Sequence, residues 1–280
     1  VVSFKPDLFL SFSSPYAAQV AFLLRKPHIV LNDTEHTDKM HSRFTYPFSS
    51  VILTPQSYQN KIGMKQIRFN NIVEGLYLHK NYFAPNSDVI SLLNLGSHTE
   101  FVILRFVSWN AHHDYGQSGI NLETKRALIK LLTPKYKVLI SSEGELDVEF
   151  KQYQINIPPE RMHDVLYYAS LFIGESGTMA SESSFLGTPA VYINSLPLMC
   201  YLKLEQDSHI LEHFSSSTGV VDYVKDLIDN KNLKVEVQQR AEHMKENFID
   251  PTAFLIWFIE NYPNSVQIIK ENPDYQYNFL

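Results

Sequence analysis

Ile173-Gly174-Glu175-Ser176-Gly177-Thr178-Met179-Ala180-Ser181-Glu182, closing in Leu186-Gly187-Thr188-Pro189, is the stretch on which the reading of this chain turns. The apolar run Leu171–Gly174 has the length and composition of a buried strand. A turn of small residues comes next, then a helix opening at about Thr178 and running over Met179–Leu186. Ala190–Asn194 is the next strand. Strand, turn, helix and strand in close succession form a βαβ unit, and such units build parallel sheets. The turn itself has a chemistry. Free backbone N–H groups and the positive end of the helix dipole favour an anion there. Ser176, Gly177 and Thr178 are small enough for a diphosphate to approach the backbone. Glu182 lies one helical turn beyond Thr178, so its carboxylate reaches the same side and can accept hydrogen bonds from ribose hydroxyls. A plainer reading stays open: Ser176 and Thr178 cap the helix, and Glu182 is a solvated helix residue.

The same rhythm extends in both directions. Upstream, Phe101–Phe106, Tyr136–Ser141 and Ile155-Asn156-Ile157 read as strands, with helices over Leu122–Leu132 and His163–Ala169. Earlier still, Leu8–Phe12, His28–Leu31 and Val51–Pro55 are strands and Ile67-Arg68-Phe69 a fourth. Ser13-Ser14-Pro15 offers an N-cap and a first-turn proline for a helix through Leu24. Downstream of Asn230 the chain becomes helical through Phe248. Pro251 starts a last helix, Ala253–Tyr262, in which Phe254, Trp257 and Phe258 recur at helical spacing and read as packing rather than a stacking platform. Tyr82–Thr99 gathers Pro, Asn, Ser and Gly around one short helix, Ser87–Leu93, and reads as a connection. The expected organisation is two Rossmann-type α/β domains with parallel sheets facing a cleft that takes the ligand. Their bounds are residues 1–86 and 87–250, with 251–280 as a C-terminal helical segment. The start, Val1-Val2-Ser3-Phe4-Lys5-Pro6-Asp7, reads as a helix end running straight into a strand, so the first domain is expected to be incomplete.

Composition narrows the function classes. A net charge of −6 with no basic stretch argues against phosphate tracking, so no nucleic-acid partner is expected. An apolar fraction of 44% without a run of 18 apolar residues predicts a globular chain with no membrane span. Peripheral membrane contact stays open, although no basic amphipathic helix supports it. Cys200 is the single cysteine and cannot form an internal disulfide. With no signal peptide in view, the expected compartment is the cytoplasm.

Two further segments carry candidate chemistry. Arg105-Phe106-Val107-Ser108-Trp109-Asn110-Ala111-His112-His113-Asp114 leaves a strand at the carboxyl edge, where open α/β sheets bind ligands. Its imidazoles can donate to phosphate or act as a general acid. Adjacent His112, His113 and Asp114 seldom converge on one ion, so no metal site and no cofactor is expected. Asn32-Asp33-Thr34-Glu35-His36 continues from a strand of the first domain. Either Glu35 or His36 there is placed to take a proton from an acceptor hydroxyl, or from a sugar carbon.

The Ser-Gly-Thr turn, Glu182 and the closing Leu-Gly-Thr-Pro resemble the donor-site signature of GT-B proteins, such as the peptidoglycan N-acetylglucosaminyltransferase and the UDP-N-acetylglucosamine 2-epimerase. The resemblance implies that Ser176, Gly177 and Thr178 meet nucleotide diphosphate and Glu182 meets ribose. The loop Ile157–His163 would then lie beside the base. It also implies donor contacts from Arg105, Ser108, Asn110, His113 and His163, a catalytic part for His112 beside Glu35 and His36, and a last helix that crosses back to the first domain. Over nearly its whole length, the chain is similar to a family of bacterial and archaeal GT-B-like proteins of unassigned function. The shared residues are Ser13–Ala18, Asn32–His36, Arg105–Ala111 and Pro158-Pro159-Glu160. Members usually begin with another βαβα segment, on the order of 70 residues for a Rossmann-type half. The expected function is metal-independent glycosyl transfer from a nucleotide-sugar, a UDP-sugar first, to an unknown acceptor such as a surface polysaccharide precursor. A UDP-sugar 2-epimerase or hydrolase, and a non-catalytic nucleotide-sugar binder, are the alternatives.

Overall fold

The computed structural model of the protein describes residues 4–107, 119–196 and 198–280. In chain order its first elements are β1 (Phe9–Phe12), α1 (Pro15–Leu23), β2 (His28–Leu31), α2 (Asp38–Phe44), β3 (Val51–Pro55), β4 (Gln66–Phe69), α3 (Gly75–Leu78) and α4 (Asp88–Leu92). Then come β5 (Phe101–Phe106), α5 (Leu122–Leu132), β6 (Lys137–Ser142), α6 (Met162–Tyr168), β7 (Leu171–Gly174), α7 (Gly177–Phe185) and β8 (Ala190–Ile193). The last are α8 (Cys200–Asp207), β9 (Leu211–Phe214), α9 (Val220–Ile228), α10 (Leu233–Lys245), α11 (Pro251–Glu260) and α12 (Asn264–Glu271). Two compact units emerge. One comprises Val1–His79, Met199–Tyr201 and Asn247–Leu280, the other Lys80–Leu198 and Leu202–Glu246.

The first unit holds a parallel sheet in the order β1-β2-β3-β4. β2 and β3 are buried at every position, which is why they read as unbroken apolar runs and not as alternating ones. α1 starts where its sequence predicts: the Ser14 side chain accepts from Ala17 N–H and Pro15 takes the first helical position. Phe254, Phe258 and Ile269 from α11 and α12 join Ile29, Leu31, Val51, Leu53, Ile67 and Phe69 in one core. Trp257 stacks on Tyr275 with ring centroids 4.8 Å apart, so the aromatic stripe is indeed packing. His28 is fully buried in β2 between the hydroxyls of Ser11 and Ser49, each 2.9 Å away, and burial pushes its imidazole down to about 4.

The second unit holds a five-stranded parallel sheet in the order β6-β5-β7-β8-β9. The chain leaves β5 for β6 on one side, then returns to lay β7 on the other. β5 and β7 therefore flank the point where the winding reverses, and their carboxyl ends open a crevice there. α5 and α9 cover one face with Leu128, Leu132, Val220 and Val224. α7 is buried from Met179 to Phe185 and ends at Gly187, whose φ of +78° carries a left-handed C-cap in which Thr188 N–H donates to Ser183 C=O. Lys234 on α10 fastens the amino edge, donating to the carbonyls of Tyr167 and Ala169 and to the Thr188 hydroxyl.

One expected strand does not form. Residues 155–157 form no strand; an isolated bridge sets Gln154 beside Ile140 just before them, and Ile155 N–H donates to Ile140 C=O. Pro158 and Pro159 come directly after and have no N–H to extend a ladder. α2, α3, α8, β9 and α9 form in segments where the sequence pattern alone assigns no element.

Candidate functional site

β7 delivers the chain to the crevice and stops at Gly174, a position only glycine fits. A Cβ there would lie 2.6 Å from Arg105 Cβ and 2.9 Å from its carbonyl oxygen, because β5 and β7 pair Arg105 with Gly174. The chain then turns through Glu175 into α7. Ser176 is the N-cap, in extended backbone, and its hydroxyl accepts from Met179 N–H at 3.4 Å. Gly177 and Thr178 thus occupy the first helical turn, where N–H groups have no acceptor within the helix. Thr178 is exposed. Three small residues, two outward N–H groups and the positive helix end meet at the reversal of the sheet. Such a geometry is chemically able to take an anion.

One turn along, Glu182 is only 8% exposed, so it is not a solvated helix residue. Its Oε1 lies 3.0 Å from His163 Nε2, which brings α6 and α7 together at the same edge. The His163 ring meets Phe83 edge-on at 6.1 Å. Beside it, Asp164 is held by Arg161 at 2.7 Å and accepts Asn86 N–H at 2.8 Å, fixing the start of α6. Arg105 projects from β5 and is engaged by Ser141 at 2.8 Å and by Glu143 at 2.6 Å. Ser108, Asn110, His112 and His113 lie outside the described residues.

The residue in the middle of this edge is one that sequence reasoning passes over. Glu175 is 2% exposed; its Oε2 accepts Val107 N–H at 2.8 Å and its Oε1 accepts Ile120 N–H at 2.7 Å. Asn194 donates to its carbonyl at 3.1 Å. The chain does carry a signal for it: a carboxylate directly after four buried residues of a parallel strand must find donors.

The candidates in the first unit have a different setting. Glu35 lies beyond β2, and both its oxygens are taken, Oε1 by Gln59 N–H at 2.8 Å and Oε2 by Cys200 N–H at 2.9 Å. His36 is exposed. The buried Asp33 accepts from the Thr34 hydroxyl, yet burial, with Glu35 adding to it, raises its carboxyl above the usual range. Burial also pushes the Cys200 thiol far up, which makes it a packing residue whose sulfur leans on Asp33 C=O at 3.5 Å. Beneath this segment lies a closed polar network. Asn32 donates to the hydroxyls of Tyr46 (2.7 Å) and Tyr58 (2.9 Å), and both hydroxyls donate to Asp38 Oδ1, at 2.6 and 2.5 Å. Asn60 completes it on Asp38 Oδ2 at 2.8 Å. Glu74 is buried in the same unit, and His79 is partly buried there, 3.6 Å from Asp250. Among the described residues, no three His, Cys, Asp or Glu side chains are grouped to hold a metal ion, and no helix is long and apolar enough to cross a membrane.

Solved structures similar to the chain share this architecture at low identity. An S. aureus MnaA–UDP co-structure matches with a TM-score of 0.61 at 12% identity, over 100% of this chain and 78% of that one. A protein from Listeria monocytogenes assigned as a UDP-N-acetylglucosamine 2-epimerase matches with a TM-score of 0.58 at 12% identity, over 85% and 69%. The Streptomyces sp. SF2575 glycosyltransferase SsfS6, complexed with thymidine diphosphate, matches with a TM-score of 0.55 at 13% identity, over 96% and 70%. At such identities the likeness establishes a two-sheet, GT-B-like fold and leaves the reaction open. No curated protein sequence matches the chain. A family model covers residues 1–260, and with that span the chain belongs to the family described as protein of unknown function, DUF354.

Proposed function

We propose that this protein is a GT-B-type glycosyltransferase that draws its sugar from a nucleoside-diphosphate sugar, a UDP-sugar first. One observation carries the reading: the Ser176-capped start of α7 stands at the winding reversal between β5 and β7, with Glu182 and His163 one turn away. In this reading the N–H groups of Gly177 and Thr178 meet the diphosphate, and Glu182 accepts from the ribose hydroxyls. His163 sets the carboxylate's orientation. The acceptor oxygen attacks the sugar C1 as the C1–O bond to phosphate breaks, and the charge left on the diphosphate is met by the helix start. Of the two proton acceptors in the first unit, His36 is favoured. Both Glu35 oxygens serve backbone N–H groups, and of the two side chains His36 is the more exposed to solvent. His112 and His113 remain candidates for phosphate contact in place of a cation. An acceptor such as a surface polysaccharide precursor fits the reading, as does a location in the cytoplasm. The likeness to the Listeria protein supports a second reading on the same donor site, a UDP-sugar 2-epimerase, which would put solvent deuterium at the sugar C2 without an acceptor.

Thermal stabilisation by UDP, GDP, CDP and thymidine diphosphate, with and without Mg²⁺, tests the donor site. At one hundred times its dissociation constant a nucleotide adds about 2.7 kcal/mol and raises the melting temperature by several degrees. The expected result is stabilisation without metal that Glu182→Ala abolishes. A folded wild type that no nucleotide stabilises would end the donor reading.

A further inference from the structure

The winding reversal at β5 and β7 is bridged by one buried carboxylate. Glu175 joins Val107, the residue after β5, to Ile120, two residues before α5, through its two oxygens. Its own N–H donates to Arg105 C=O at 3.1 Å, and Asn194 holds its carbonyl from the end of β8. Three segments of the carboxyl edge therefore converge on one residue, and that residue is the immediate neighbour of Ser176. A carboxylate this buried is tolerated because N–H donors meet it. Its negative charge would otherwise stand directly behind an anion site. We infer that Glu175 is a positioning residue of the nucleotide site: it fixes Val107 and Ile120 to the Ser176 turn and holds its charge away from the incoming diphosphate. The inference rests on the donor reading above and goes beyond it by separating phosphate recognition from nucleoside recognition.

The test uses residues 1–280, as wild type, Glu175→Gln and Glu175→Asp. The probes are UDP and thymidine diphosphate, with uridine and thymidine as phosphate-free controls. Glutamine keeps the shape, loses the charge and turns an NH₂ towards one of the two N–H donors. The expected result is diphosphate binding about tenfold weaker in Glu175→Gln, from the loss of one charge-assisted bond, with nucleoside binding unchanged. Glu175→Asp keeps the charge and recovers part of the affinity. Equal weakening of nucleotide and nucleoside, or no weakening, overturns the inference and leaves the donor reading in place. A wild type that binds neither diphosphate ends the donor reading itself. Amide exchange in the ligand-free wild type supplies a check that no variant has to survive. Val107 and Ile120 N–H are expected to be protected to within about tenfold of the β5 amides, because both are buried donors to one carboxylate. Rapid exchange at either position overturns the inference.

Discussion

The carboxyl edges of the two sheets are built to opposite plans. In the first unit the strands run β1-β2-β3-β4 without reversing, and the polar groups beyond them bind one another. Asn32, Tyr46, Tyr58, Asn60 and Asp38 close a network in which both tyrosine hydroxyls accept from Asn32 and donate to Asp38. In the second unit the winding reverses between β5 and β7, and the residues beyond β7 are small, with Thr178 exposed and its N–H directed out of the helix start. The first edge satisfies its own donors and acceptors. The second has the outward N–H groups of the α7 start and ties its buried Glu175 into the frame. The difference teaches where stability and where binding should reside: damage to the first edge should unfold the protein, and damage to the second should mainly cost affinity.

The sharpest way to break that contrast is Asp38→Ala. It strands the hydroxyls of Tyr46 and Tyr58, whose titration is already pushed far up by burial and by the bond to Asp38. Each buried donor left unmet costs about 1–3 kcal/mol, so a loss of about 4 kcal/mol is expected in urea unfolding. A loss under about 1 kcal/mol would show that water satisfies the network and that this edge is as open as the other.

A second test exploits pH. His28 titrates near 4 in the folded chain and near 6.5 when unfolded. Between those values the unfolded state binds more protons, so stability is full above about 6.5 and falls as pH drops through 4. The loss across this window of about 2.5 pH units, at about 1.36 kcal/mol each, is about 3.4 kcal/mol. His28→Asn should flatten the acid limb of the stability profile relative to wild type. Parallel profiles would mean that the imidazole between Ser11 and Ser49 takes its proton without unfolding anything.

How much of this is legible in the chain depends on distance along it. Strands and caps are local: Val30 and Ile52 announce buried strands by their apolar neighbours, and Ser14 and Ser176 announce helix starts by the residues just after them. The two parallel-sheet α/β domains therefore emerge from the strand–helix alternation, and the likeness to GT-B proteins from the Ser176–Glu182 motif. The segment 155–157 misleads because Ile-Asn-Ile alternates like a strand, while the two prolines behind it remove the donors a ladder needs. The closed network cannot be read whole, since Asp38 meets Tyr58 only after the chain has passed through β3. Glu175 sits inside the most legible motif of the chain and is still missed, because its partners Val107 and Ile120 lie 68 and 55 residues away. Burial also removes one of the two readings of Glu182, the solvated helix residue, by pairing it with His163. α9 is the most readable of the unassigned elements, as Val220, Val224 and Ile228 recur at helical spacing on its buried face.

The smallest expected effect separates the two edges most cleanly. Thr178 is exposed in the first turn of α7, and its side chain neither caps the helix nor enters a core; the cap is Ser176. Thr178→Ala should therefore change unfolding stability by no more than about 0.5 kcal/mol. Ser176→Ala, which removes the bond to Met179 N–H, should lose about 1 kcal/mol. If the turn holds a diphosphate through its hydroxyls as well as its N–H groups, both variants weaken UDP or thymidine diphosphate binding, and Thr178→Ala does so with almost no change in stability. That combination, affinity lost while stability holds, is what an edge left open for a ligand must show. If Thr178→Ala leaves both quantities unchanged, the turn makes its contacts through backbone N–H alone. Thr178→Pro then decides the matter, since proline fits an early position in a helix but removes the Thr178 N–H.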